Sequence, residues 1–301
     1  VASGLHDIVI AFGAGSMKPG TLTVSEGGQG WQFGELAKPS PYTRMFAQLA
    51  RRYMKEYKIS KEILAKIAVK NLNNGLNNPK ALRKEEVTLE KVLQAKIIAE
   101  PLTEYMCAPN ANGGVALILA PADHGKYYSK YPIKIEACAL TSGKPGLSYL
   151  ESAYDALRRA TQEAFRQVGE DFSIKDIDIA QIYDGYTITE IIGMEALGFC
   201  EKGEAAKLIE QGSTELNGEI PINTDGGVLS NGFVLGTSDL AQIVENVLQL
   251  QGRANGRQVK KKIRYALSSL GGSAGSGFCG GIAGKGFGIG GGYAVTILSA
   301  Y

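Results

Sequence analysis

Residues 221–236 read PINTDGGVLSNGFVLG, two glycine-marked turns that run with little polar bulk into an amphipathic helix. That helix is expected to be capped by Thr237 or Ser238 and to pass through Asp239, Leu240, Ile243, Val247 and Leu250. Gly226, Gly227 and Gly232 supply backbone conformations closed to other residues, so something is expected to approach that backbone closely. A helix start beside a glycine-rich turn can hold a carbonyl oxygen or an anion. The same residues also read as an ordinary connection between two core elements.

Outward from this stretch, strand-like runs alternate with helical patterns. Residues 7–13 form an apolar run closed by Gly13, as expected of a buried parallel strand. Residues 17–100 read as a mostly helical insertion, with helices over 41–57 and 61–71 and the turn Asn77-Asn78-Pro79. Strands are expected over 114–120, 133–140 and 177–183, helices over 150–168 and 188–197, and paired strands over 263–268 and 293–298. The alternation predicts an α/β sheet with helices on its faces. The segments HDIVIAFG at 6–13 and DIDIAQIY at 176–183 share a strand-to-turn pattern, a hint of duplicated halves.

Composition narrows the function classes. With 301 residues, 44% of them hydrophobic and 21% charged, the chain can bury a substantial core, and two fused domains are expected rather than one. A net charge of +2 argues against a dedicated nucleic-acid binder, and the basic run Lys260, Lys261, Lys262 and Arg264 reads as a solvated edge. Apolar runs such as 115–120 fall far short of the roughly 20 residues of a membrane helix, so no membrane role is expected. Cys107, Cys138, Cys200 and Cys279 are widely spaced with no CxxC pair, which fits reduced thiols in a cytoplasmic protein better than a zinc site or a disulfide framework. His6 and His124 are the only imidazoles, which excludes a histidine-rich metal site. The opening VASGLHDIVIAFGAG has no initiator methionine and no signal-peptide pattern, and residues are expected upstream of Val1.

Two further motifs bear on chemistry. GSGFCG at 275–280 matches GxGxxG, but a dinucleotide site needs a helix directly after those glycines, and here more glycine and then the strand YAVTIL follow. The glycine-dense run 271–292 reads instead as a hairpin tip or a loop packed against a partner or substrate; Cys279 within it is either a buried structural thiol or a catalytic one. Tyr183-Asp184-Gly185-Tyr186 ends a strand, where ligands gather in open α/β sheets. A phenol is a good hydrogen-bond donor to a developing oxyanion, and a partly desolvated aspartate can accept a proton. A tyrosine packed at a strand end beside a capping aspartate is the alternative reading of the same tetrad.

Taken together, the blocks DIVIAFGAGSM (7–17), LNNPKALRKEEVTLEKVLQAK (76–96), MCAPNANGGVALILAPAD (106–123), DIDIAQIYDGYTITEIIGMEALGFCEKGE (176–204) and INTDGGVLSNGFVLGTSDLAQIVENVLQLQG (222–252) resemble the thiolase superfamily, specifically the sterol-carrier-protein-type thiolases and their lipid-transfer-protein-like relatives. The resemblance implies a layered αβαβα fold whose N-terminal portion is missing here. Residues 1–132 would be the remainder of one half, with a helical loop domain at about 17–100, and 133–301 the other half. It also implies a homodimer, no permanently bound cofactor, no metal, and coenzyme A as a substrate carried in an acyl-CoA. The family's nucleophilic cysteine would precede Val1.

Departures from the family pattern shape the expected chemistry. Gly232-Phe233-Val234 stands where thiolases carry Gly-His-Pro, and Tyr183-Asp184-Gly185-Tyr186 stands at the Asn-Glu-Ala-Phe or His-Asp-x-Phe position. Ser268 and Ser269 lie near the family's final cysteine or histidine. The first expectation is an acyltransferase acting on the Cα–Cβ bond of a bulky β-oxoacyl-CoA. The Asn231-Gly232 backbone and the hydroxyl of Tyr183 or Tyr186 would serve as oxyanion donors, Asp184 or Cys279 would move the proton, and Phe233 would leave a drier, roomier pocket. The tetrad tyrosine resembles that of steroid side-chain retro-aldolases, which implies a second expectation: cleavage of a β-hydroxyacyl-CoA, with a small zinc-ribbon/OB-fold partner subunit. A third is a non-catalytic scaffold that binds CoA esters.

Overall fold

The computed structural model describes residues 1–17, 41–144, 149–270 and 292–301. Cys279, nearly all of the glycine run, and 18–40 of the expected insertion lie outside the described residues. The chain runs β1 (Val9–Gly15), α1 (Pro41–Tyr57), α2 (Lys61–Gly75), α3 (Leu89–Gln94), β2 (Ile97–Ala99), β3 (Leu102–Thr103), β4 (Gly113–Leu119), α4 (Gly125–Tyr128) and β5 (Ile133–Ser142). It continues through α5 (Tyr149–Val168), β6 (Ile179–Ile182), α6 (Thr187–Leu197), α7 (Ala205–Glu210), α8 (Gly227–Asn231), α9 (Ser238–Leu250), β7 (Tyr265–Leu270) and β8 (Gly292–Ala300).

Periodicity accounts for the long helices. α1 opens on Pro41, whose fixed φ and missing N–H suit a first helical turn, and it buries Phe46, Leu49, Ala50 and Tyr53 at helical spacing. Each large apolar side chain so buried contributes about 1.5–3 kcal/mol. α2 likewise buries Ile63, Leu64, Ile67, Ala68 and Leu72, but the same helix also buries Lys70 and Asn71. α6 is buried at almost every position, Glu190 included, and stops at Gly198, whose φ of 91° is a left-handed cap. Charges inside such helices need partners within the protein.

β5, β8, β7 and β6 form one sheet in that order, with β6 parallel to β7 and β8 antiparallel to both of its neighbours. Ala153 and Leu157 of α5 and Ile192 and Gly193 of α6 meet Ile182 and Ser269 on one face. On the other face Leu250 of α9 packs with Ile179 and Ala266, and α9 also reaches β4. The result is the layered α/β order expected from the alternation.

β1 departs from expectation. It pairs antiparallel with β4, Val9 opposite Leu119 and Gly13 opposite Val115, and is alternately exposed, Ile10 and Phe12 lying on the open face with Ile118. An apolar run announces a strand but carries no information on the direction of its neighbour or on how many faces are covered.

Candidate active site

The tetrad follows the buried strand β6. Tyr183 is 2% exposed, and its ring folds back over Gly185, where an added Cβ would lie 2.2 Å from the phenol oxygen. Glycine is therefore what lets the ring sit there. Gly185 O accepts from Ala108 N–H at 2.9 Å, and Tyr186 bridges Cys107, so the tetrad is stitched to the segment before β4. Phe233 is fixed from the same side: its N–H donates to Pro109 O at 2.7 Å and its carbonyl accepts from Ala111 N–H at 2.9 Å. Those bonds hold the Phe233 and Tyr183 rings edge to face, 6.4 Å between centroids.

Tyr183 and Ser269 line one cavity of about 30 Å³, walled by Phe46, Ile182, Ile192 and Tyr293 among others. Ser269 is fully buried, and its Oγ has no hydrogen-bond partner among the described residues. Ser268, its neighbour on β7, points to the opposite face of the sheet, because successive side chains of a strand alternate. The two serines expected together are thus separated. Tyr186 also stands off the cavity: it is fully buried, stacks on Phe46 at 4.5 Å, and its hydroxyl shares a 2.9 Å hydrogen bond with Thr43 Oγ1.

The glycine turn is filled by the protein itself. Asp184 is fully buried; Val228 N–H donates to its Oδ1 at 2.6 Å and Leu229 N–H to its Oδ2 at 3.2 Å. The start of α8 is therefore occupied from within the protein, by the carboxyl group of Asp184. A Cβ on Gly227 would lie 2.2 Å from Asp184 Oδ2, and one on Gly226 would lie 2.7 Å from Gly75 Cα, where α2 ends. Asn231 donates to Asp225 Oδ2 at 2.6 Å and accepts from Asn78 at 2.8 Å. The Gly232 N–H expected as an oxyanion donor is paired with Val228 O at 2.9 Å. Asn231, Gly232 and Phe233 are thus not among the residues that wall the cavity, which Phe233 approaches only through its contact with the Tyr183 ring.

Four residues of the surrounding network escaped the sequence reading. Asn71 Nδ2 donates at 2.7 Å both to Asp184 Oδ2 and to Glu190 Oε2. Glu190 also accepts from Asn223 at 2.8 Å and pairs with Lys70 Nζ at 2.8 Å, with both side chains of that ion pair buried. Burial, then the neighbouring Glu190, pushes the Asp184 carboxyl up to about 8, against the pull of the Val228 and Leu229 N–H groups and of Lys70. The signal was present in the sequence as charges inside two otherwise apolar helical runs, Lys66 and Lys70 in ILAKIAVKNL and Glu190 in ITEIIGM. Among the described residues no cluster of His, Cys, Asp and Glu has the makings of a metal site, and no helix is long and apolar enough to cross a membrane.

A layered α/β sheet with a tyrosine tetrad at the end of β6 and a glycine-turned helix behind it defines a thiolase-fold protein. Residues 148–279 match the thiolase C-terminal domain-like family. The chain is 36% identical over 284 residues to an acetyl-CoA acetyltransferase of Methanothermobacter thermautotrophicus, covering 92% of this chain and 72% of that protein. It is 32% identical to the benzoylsuccinyl-CoA thiolase subunit BbsB of Thauera aromatica, covering 90% and 70%. The solved structure of an Ltp2-ChsH2(DUF35) aldolase superposes with a TM-score of 0.80 at 26% identity, covering 100% of this chain and 74% of that one. The chain belongs to the thiolase superfamily.

Proposed function

We propose that this protein makes or breaks the Cα–Cβ bond of a bulky β-oxoacyl-CoA by thiolase-type acyl transfer. The carrying observation is the Tyr183 phenol, held over Gly185 and against Phe233 at a cavity that also receives the Ser269 hydroxyl. Cleavage leaves an electron pair on Cα, delocalised as a thioester enolate, and a preorganised O–H donor at the developing oxyanion lowers the barrier by about 2.7–4 kcal/mol. The acyl half passes to a thiol, Cα takes a proton, and coenzyme A thiol then accepts the acyl group. A cavity of about 30 Å³ holds little more than a water molecule or two, so the acyl chain is accommodated beyond these walls. The kinship with a benzoylsuccinyl-CoA thiolase subunit supports a bulky acyl group and a partner subunit.

A second reading is retro-aldol cleavage of a β-hydroxyacyl-CoA, favoured by Phe233 beside the tetrad tyrosine and by the aldolase neighbour. There the β-hydroxyl loses a proton to a base, the Cα–Cβ bond breaks to a carbonyl product and an enolate, and Cα is reprotonated. Both routes place Tyr183 at the reacting oxygen. Tyr183→Phe is expected to lower kcat by about a hundredfold or more, and wild-type turnover in that variant would refute both. Mass analysis of the full-length enzyme after incubation with acyl-CoA separates them: an acylated cysteine supports acyl transfer, and an unmodified enzyme that still turns over supports the aldol route.

A further inference from the structure

Asp184 sits one residue from Tyr183, yet its carboxylate turns away from the cavity and into the start of α8. No other acceptor meets the Val228 and Leu229 N–H groups among the described residues. At its other end α8 is pinned by Arg83, whose guanidinium donates to Cys107 O at 3.0 Å and Leu229 O at 3.4 Å, and by the Leu82 and Arg83 N–H groups on Ser230 O. The next residues are Gly232 and Phe233, and Phe233 is the ring against Tyr183. Asp184 is held in turn by Asn71, whose single amide nitrogen faces two carboxylates while its Oδ1 meets nothing among the described residues. That orphaned oxygen is where a proton on Asp184 would find an acceptor if the Asn71 amide turned over.

We infer that Asp184 is a positioning residue rather than a proton carrier: clamped by Asn71 between Glu190 and α8, it fixes the start of α8 and through it the wall formed by Phe233 against Tyr183. The inference rests on the reading that Tyr183 works at the reacting centre. Lys70, Glu190 and Asn223 hold the clamp from α2, α6 and the loop before α8. An amide in place of the carboxyl keeps Oδ1 for Val228 N–H and, if the Asn71 amide turns over, offers its N–H to Asn71 Oδ1, so Asp184→Asn gives up the Leu229 bond but keeps the side chain clamped between α8 and Asn71.

The test combines hydrogen exchange at the Val228 and Leu229 amides with kcat, KM and the pH–rate profile of the full-length enzyme. Asp184→Asn is expected to keep Val228 protected while Leu229, which loses its acceptor at Oδ2, exchanges faster, to retain kcat within about tenfold and to leave the pH profile in place, far from the 10²- to 10⁴-fold loss of a missing acid or base. Asp184→Ala should speed exchange at both amides and lower kcat in parallel. Asn71→Ala should speed Leu229 more than Val228, because Asn71 and Leu229 share Oδ2. A loss of about a hundredfold or more in Asp184→Asn, with Val228 protection unchanged and one limb of the pH profile gone, would overturn the inference. Full activity in Tyr183→Phe would instead sink the functional reading, and the exchange data, which need no substrate, would still decide the clamp. Should Asp184→Ala fail to fold, wild-type exchange and Asp184→Asn carry the decision.

Discussion

The turns at 183–186 and 226–233 look alike in sequence, each a glycine beside a polar residue at the end of an apolar run, and they do opposite things. In the first, Gly185 makes room for the Tyr183 ring, which looks into a cavity. In the second, Gly227 makes room for the Asp184 carboxylate, and the space is closed. Both intrusions would bring a Cβ to 2.2 Å from a side-chain oxygen. A glycine therefore reports that something comes close, and the hydrogen-bond inventory of the approaching group decides whether a ligand is needed. The carboxylate already meets three donors.

The largest expected effect lies on the closed side. Lys70→Met leaves Glu190 buried without its cation, and unfolding by denaturant should show a loss of about 3–5 kcal/mol; an unchanged midpoint would mean that the closed turn does not depend on its ion pair. Gly227→Ala should follow. It drives Cβ into a carboxylate held by three bonds and places alanine at a φ of 61°, for a combined cost of about 2–4 kcal/mol from strain and a lost cap. Gly185→Ala sharpens the contrast. The same steric intrusion there displaces Tyr183, so kcat should fall by about a hundredfold while stability falls by about 1–3 kcal/mol.

The smallest effect is on pH dependence. Because the Asp184 carboxyl is raised to about 8 in the folded protein, the native state keeps a proton that the unfolded chain gives up above about pH 4. Between those values the folded state binds more protons, so stability falls as pH rises, and the loss is complete above the folded value. Asp225, also raised by burial and by Glu245, adds in the same direction. Asp184→Asn should flatten the decline between about pH 5 and about pH 9 by roughly 1 kcal/mol or more. An identical slope in both proteins would show that the carboxyl stays ionised in the fold.

Much of the architecture was legible because it is periodic. α1 falls on residues 41–57 as read, and β4, β5, α5 and α6 differ from their expected spans by a few residues. α8 was invisible: five residues flanked by glycines carry no helical repeat, and its helical shape depends on Asp184, forty-odd residues away in the chain. The site was half legible. Tyr183 meets Ser269 at the cavity and Phe233 at its ring, since strand ends and glycine turns can be read locally, whereas Lys70 and Glu190 look like surface charges until the faces of α2 and α6 that carry them are seen to be buried. Ser268 was misplaced beside Ser269 because neighbours in sequence are opposites on a strand.

That last point gives β7 a particular sensitivity. Its parallel register against β6 sets Gln181 opposite Ser268 and Ile182 opposite Ser269. Inserting one residue upstream of the strand would put Ser268 in the place of Ser269 and turn Ser269 toward α9, leaving composition and hydropathy almost untouched. Reading frame within the sheet, more than residue type, is what assigns a hydroxyl to the chamber beside Tyr183.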